Sequence, residues 1–205
     1  MLLEKRELLL CLYARGFTNI MEFQDLPPDM TEKNVQDMKK HLLEQKLLEE
    51  NPREGMTFRF SAYGQVIIDT VGKPEVWVDI HHLKHGIRRS LFLSGAFYVC
   101  VEERGDEVLV DVLPSLPIFI GGYASLLRDL RQQSEVQSWD SDAQLVRISL
   151  HGKNSRRELE IDEHGTARQT DENGETFVCH TQQSCTNAIT DWVLNALRQR
   201  EEGSL

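Results

Sequence analysis

The chain has 205 residues, with 23 Lys/Arg against 33 Asp/Glu and a formal net charge of −10. That acidity repels phosphate backbones and anionic lipid, so neither nucleic acid nor a membrane surface is expected as the main partner. The length allows one or two domains, and the 40% hydrophobic and 27% charged content is that of a globular protein.

No stretch approaches the ~20 apolar residues of a membrane span. At the start, Glu4, Lys5 and Arg6 break the apolar run, unlike the long apolar core of a signal peptide. Cys11, Cys100, Cys179 and Cys185 have no paired spacing and read as reduced, buried thiols. A cytosolic protein is expected.

In chain order, residues 3–15 read as a helix with Leu3, Leu10 and Tyr13 on a wide apolar surface, ended by Gly16. A short helix is expected within 18–26, closed by Pro27-Pro28. Thr31 is a good N-cap for the next helix. That helix carries Val35, Met38, Leu42, Leu43, Leu47 and Leu48 at helical spacing and is stopped by Asn51-Pro52. Thr57 to Phe60 then alternate like a strand. Helix, short helix, helix and hairpin together resemble a winged helix over 1–72. Glu32, Asp37, Glu44, Glu49 and Glu50 offset Lys33, Lys39, Lys40 and Lys46 on its last helix, so a solvated face is expected rather than a DNA reader.

From Lys73 onward the chain repeats itself at a spacing of about 67–70 residues. Val76, Val78 and Ile80 are echoed by Val146, Ile148 and Leu150. Arg88-Arg89 is echoed by Arg156-Arg157, Gly105-Asp106 by Gly174-Glu175, and Leu127 with Leu130 by Leu194 with Leu197. The first copy predicts strands near 76–80, 89–93, 97–103 and 107–113, then a helix with Tyr123, Leu126, Leu127 and Leu130. The second predicts strands near 145–150, 156–162, 166–170 and 175–180, then a helix opened by Ser184. Antiparallel meanders need cover on one face, and each copy's helix can supply it. The expected organisation is therefore α+β: a winged-helix-like region at 1–72, a ββββα copy at 73–133, a polar linker at 134–142 and a second copy at 143–205, related by a pseudo-twofold axis.

Candidate chemistry is sparse. His81 and His85 have the i, i+4 spacing of helical metal ligands, with His82 between them. The segment follows a strand and runs into Gly86, so a solvated loop is expected and no metal. Cys179-His180 and Cys185 are explained by a strand and a helix start. The two arginine pairs could grip an anion or an acidic partner bidentately; the simpler reading is that each opens an edge strand, where charge blocks aggregation. No catalytic residue and no cofactor is expected. Leu116, Ile118, Phe119 and Ile120 stand outside any amphipathic phase and are the candidate partner-binding residues. Trp77 and Phe92 also fall out of the core phase of their strands.

A leading Leu-rich helix, the loop Leu26-Pro27-Pro28, a helix ending Leu47-Leu48-Glu49-Glu50 and two similar β-then-α halves resemble the EspG-type proteins of type VII (ESX) secretion. The resemblance implies a cytosolic, non-enzymatic chaperone of quasi-twofold α+β fold that holds a helical secretion substrate. It carries no diagnostic motif and no binding residue. The expected function is a protein-binding adaptor or secretion-associated chaperone. The rival is a winged-helix transcription regulator whose C-terminal pair senses a ligand or dimerises.

Overall fold

A computed structural model of the chain describes residues 1–17, 32–51, 57–83, 86–95, 97–113, 144–151, 156–162, 166–170, 173–174 and 176–180. The fold is α+β with a large antiparallel sheet. Two compact units divide it, Met1–Pro74 with Phe92–Val112, and Glu75–Leu91 with Leu113–Leu205.

The first unit holds β1 (Leu2–Glu4), α1 (Lys5–Ala14), α2 (Glu32–Glu44), β2 (Leu48–Asn51), β3 (Thr57–Phe60) and α3 (Ala62–Gly72). It also holds the end of β5 (Ile87–Ser94), β6 (Phe97–Arg104) and all but the last residue of β7 (Glu107–Leu113). Its strand order is β1-β7-β6, and β2 pairs with β3 as a separate hairpin. Leu3, expected at the head of a helix, instead belongs to β1 and pairs with Val108, next to Leu2 with Leu109. Helix begins only after Glu4, whose backbone N–H donates to Glu7 Oε2 at 2.8 Å.

Alpha1 ends where Gly16 adopts a positive φ of 82°, with Phe17 N–H bonding to Leu12 C=O and Gly16 N–H to Tyr13 C=O. This is a Schellman closure. Alpha2 closes in the same way, several residues before the expected stop at Asn51-Pro52. Lys46 takes a φ of 61°, Leu47 N–H bonds to Leu42 C=O, and Lys46 N–H bonds to Leu43 C=O. Leu42 and Leu47 are both buried, so burial of Leu47 accompanies a left-handed lysine. Leu48 consequently begins a strand.

Alpha3 has no counterpart among the expected elements. Ser61 caps it by accepting from Gly64 N–H at 2.9 Å. Gly64 lets its first turn sit on the backbone of Leu47; a Cβ there would lie 2.2 Å from the Leu47 carbonyl oxygen. Ile67, Ile68 and Val71 are buried, and α3 packs against α1 and β6. Leu3, Leu8, Leu12, Val99, Val101, Val108 and Val110 complete this core. The short helix expected within 18–26 lies outside the described residues.

The second unit holds β4 (Val76–His82), most of β5, β8 (Gln144–His151), β9 (Arg156–Asp162), β10 (Thr166–Thr170) and β11 (Thr176–His180). Their order is β5-β4-β8-β9-β10-β11. Period-2 alternation puts Val76, Val78 and Ile80 on one face, with Val146, Ile148, Leu150, Leu159, Ile161 and Ala167, all buried. The β4–β8 register couples Val78 to Leu150 and Ile80 to Ile148. Shifting Val78↔Leu150 by the 70 positions of the sequence echo gives Ile148↔Ile80, another pair of the same ladder. The helices expected to complete each copy, and the expected linker at 134–142, lie outside the described residues.

Candidate functional site

The opposite face of the second unit's sheet is polar. On β4 it presents Trp77, Asp79 and His81, the residues that alternate with the buried valines. Register extends each into a row: His81↔Arg147↔Glu160↔Arg168↔Val178 runs across β4, β8, β9, β10 and β11, and Asp79↔Ser149↔Glu158↔Thr170↔Thr176 runs beside it.

Along the row Arg147, Glu160 and Arg168 the charges alternate in sign, while β9 also carries Arg156 and Glu158 on this face, paired with each other. Arg88 stands on β5, Asp79 on β4, Arg147 on β8, Glu160 on β9 and Arg168 on β10. Glu160 is clasped from both sides: Arg147 Nε donates to its Oε1 at 3.0 Å, and Arg168 donates to Oε2 through Nε at 2.7 Å and also through Nη2. Asp79 accepts from Arg88 Nη2 at 3.0 Å and from the Ser90 hydroxyl, with His151 Nε2 4.0 Å away. The His151 ring stacks on Trp77 with centroids 4.4 Å apart and planes 10° from parallel. Trp77 Nε1 is buried and has no hydrogen-bond partner among the described residues.

Burial separates the two signs. The Glu160 and Asp79 side chains are 6% and 11% exposed, whereas those of Arg147 and Arg168 are 46% and 38% exposed. The acids are therefore the foundation and the guanidiniums the surface. A buried carboxylate is tolerable only when charge-assisted bonds replace its water, and here neighbouring strands supply them. Such a lattice fixes arginine rotamers before anything docks, which lowers the entropic cost of binding. It does not build a nucleophile: the Ser90 hydroxyl gives its proton to Asp79 rather than to the imidazole.

The first unit has a second buried acid. Glu7 is 2% exposed and its two oxygens each accept from His41 Nδ1 at 2.8 Å, joining α1 to α2. Burial first, and the charge of Glu7 second, push the nearby Cys11 thiol up to about 12. Cys11 is therefore a protonated, unreactive core thiol. Burial, then Asp111, also raises Tyr63. Tyr63 is 44% exposed, whereas Glu7 and Cys11 are buried in the core of their unit.

Leu116, Ile118, Phe119 and Ile120 lie outside the described residues, as do His85 and the side chain of His82. His81 belongs to β4 rather than to a loop, because it pairs with Arg147 in the ladder. Among the described residues, no group of three or more His, Cys, Asp or Glu could hold a metal ion. Arg156 and Arg157 do not open an edge strand, since β9 is interior in the second unit's strand order. Arg88 holds Asp79, and Arg156 pairs with Glu158. The lattice itself was hidden from sequence reasoning because partnership across strands depends on register. The one legible sign was Trp77, out of phase with the core.

No protein-family model matches the chain, and no curated protein matches it. Its fold is similar to that of the type VII secretion system chaperone EspG5 of Mycobacterium tuberculosis, solved in complex with a PE25-PPE41 dimer. The TM-score is 0.61 over 95% of each chain, at 8% identity. At that identity the likeness is one of fold. Among the described residues, no helix is long and apolar enough to cross a membrane.

Proposed function

We propose that this chain is a non-enzymatic chaperone or adaptor of the cytosol that holds another polypeptide. The observation that carries this reading is the polar face of β5-β4-β8-β9-β10, where buried acids set solvent-facing arginines in fixed positions. That is an arrangement for docking, with large side chains already ordered. A fold similar to that of a secretion chaperone solved with a protein dimer supports a protein partner, and the EspG-type resemblance implies that this partner is a helical secretion substrate. Leu116, Ile118, Phe119 and Ile120 are proposed as partner-binding residues in their own right; burying each would add roughly 1.5–3 kcal/mol.

The test is purification of the tagged chain from its native host, with the mass of the complex measured in solution. We expect a defined complex with a second polypeptide in fixed ratio. It should fall apart in the Arg147→Gln/Glu160→Gln/Arg168→Gln variant, which removes the clasp together with the carboxylate it holds. A chain that runs alone, or a complex indifferent to the triple change, would contradict the reading.

A further inference from the structure

Resting on that reading, we infer that the occupant of this face is an acidic helix of a partner protein, laid across the strands, with carboxylates repeating every two turns. Three guanidiniums, those of Arg88, Arg147 and Arg168, stand on β5, β8 and β10, which are alternate strands of the order β5-β4-β8-β9-β10. The strands between them, β4 and β9, carry the buried acids Asp79 and Glu160. Neighbouring strands are about 4.8 Å apart, so alternate strands are about 10 Å apart. An α-helix advances about 10.5 Å in seven residues. A helix crossing the strands with acids at i, i+7 and i+14 therefore brings one carboxylate to each guanidinium.

Charge selects the class of occupant. The chain carries a net charge of −10, yet Arg147 and Arg168 stand out at 46% and 38% exposed above the buried Glu160, with Arg88 23% exposed and Glu158 on the next row 27% exposed and paired with Arg156. Acidic side chains on a helix match that row locally, and an arginine fork receives a carboxylate bidentately. A polyanion such as duplex nucleic acid would meet the whole acidic body as well as the row. A second copy of this chain would bring another net charge of −10 toward the first. The stacked Trp77–His151 pair lies beyond the Asp79↔Ser149 row, two rows from the arginines.

Two labelled, monomeric amphipathic helices test this, one with Glu at i, i+7 and i+14 and the other with Gln at those positions. Binding to the full chain is followed by fluorescence anisotropy at low and at physiological salt. We expect the Glu helix to bind at least about tenfold more tightly at low salt, with the preference shrinking as salt rises. The triple variant Arg147→Gln/Glu160→Gln/Arg168→Gln should bring both helices to the same weak level. Lys40→Gln/Lys73→Gln, which removes two exposed positive charges from the other unit, should leave the preference intact. Thermal unfolding of each variant verifies that it is folded.

Equal binding of the two helices to the wild-type chain would overturn the acidic class. If the triple variant then lost both, the docking face would stand without it. Survival of the Glu preference in the folded triple variant would overturn the assignment to this row. Tighter binding of duplex DNA than of the Glu helix, or a concentration-dependent doubling of mass abolished by the triple change, would name a different occupant and overturn the inference.

Discussion

Removing the two arginines that hold Glu160 tests the energetic basis of the polar face. Glu160 is 4% exposed, and Arg147 and Arg168 bond to different oxygens of its carboxylate. Arg168→Ala deletes one charge-assisted clasp and leaves the other. Hydrogen bonds to charged groups are worth about 1.5–3 kcal/mol, and both guanidiniums are more than a third exposed, so solvent screening lowers the range by roughly a third. Each single change should therefore cost about 1–2 kcal/mol, or roughly 2–8 °C in melting temperature for a chain of this size. The double change strands a buried carboxylate without either clasp, a loss of about 3–5 kcal/mol, more than the two singles together by about 1 kcal/mol or more. Adding Glu160→Gln to the double variant should restore most of it, because a neutral amide is far cheaper to bury. Urea titrations of the wild type, the two singles, the double and the triple would measure this. Additive effects below about 0.5 kcal/mol, with no recovery from Glu160→Gln, would refute the idea that the buried acid organises the arginines.

Three further outcomes are expected. Cys11 should resist alkylation at pH 8 in the folded chain, its rate falling by roughly two to three orders of magnitude below that of an ordinary thiol, since raising the pKa from 9.0 to about 12 removes the thiolate; mass-spectrometric counting of modified cysteines would measure it. The folded state holds that proton more tightly than the unfolded chain, so the Cys11 contribution is intact below about pH 9 and fades as pH rises toward 12, and a Cys11→Ala variant should show a shallower loss of stability across that window. Gly64→Ala should destabilise by about 1–3 kcal/mol, because its Cβ would fall 2.2 Å from the Leu47 carbonyl oxygen. Residues 73–133 and 143–200 are proposed to superpose as two copies of one ββββα unit, and an experimentally determined structure with different strand orders in the two segments would contradict this.

The strands were legible because their signal is local. Val76, Val78 and Ile80 alternate with Trp77 and Asp79 in sequence, and the same alternation sets the two faces of β4. Turn glycines were legible for the same reason: Gly105 and Gly174 fall between consecutive expected strands and have φ of 63° and 79°. Helix boundaries were less so. Alpha2 stops at a lysine in a left-handed conformation, a position that glycine usually fills, and burial of Leu47 accompanies it. Alpha3 was missed because Gly64, Val66, Ile67 and Ile68 are weak helix formers, and tertiary burial of Ile67, Ile68 and Val71 overrides that propensity. The polar lattice was the least legible part. Arg147, Glu160 and Arg168 lie 13 and 8 residues apart, and only register across β8, β9 and β10 makes them neighbours.

Photo-cross-linking from the polar face tests most directly whether it receives another protein. Val178 is 49% exposed and lies across from Arg168 on β11, so a photoreactive residue there borders the arginine row. Phe58, 36% exposed in the other unit, is the control position. On irradiation in the native host, we expect position 178 to cross-link to a different polypeptide through an acid-bearing helical segment, and position 58 not to. Cross-links from position 58 alone, from neither position, or only to a second copy of the chain would contradict the assignment of this face.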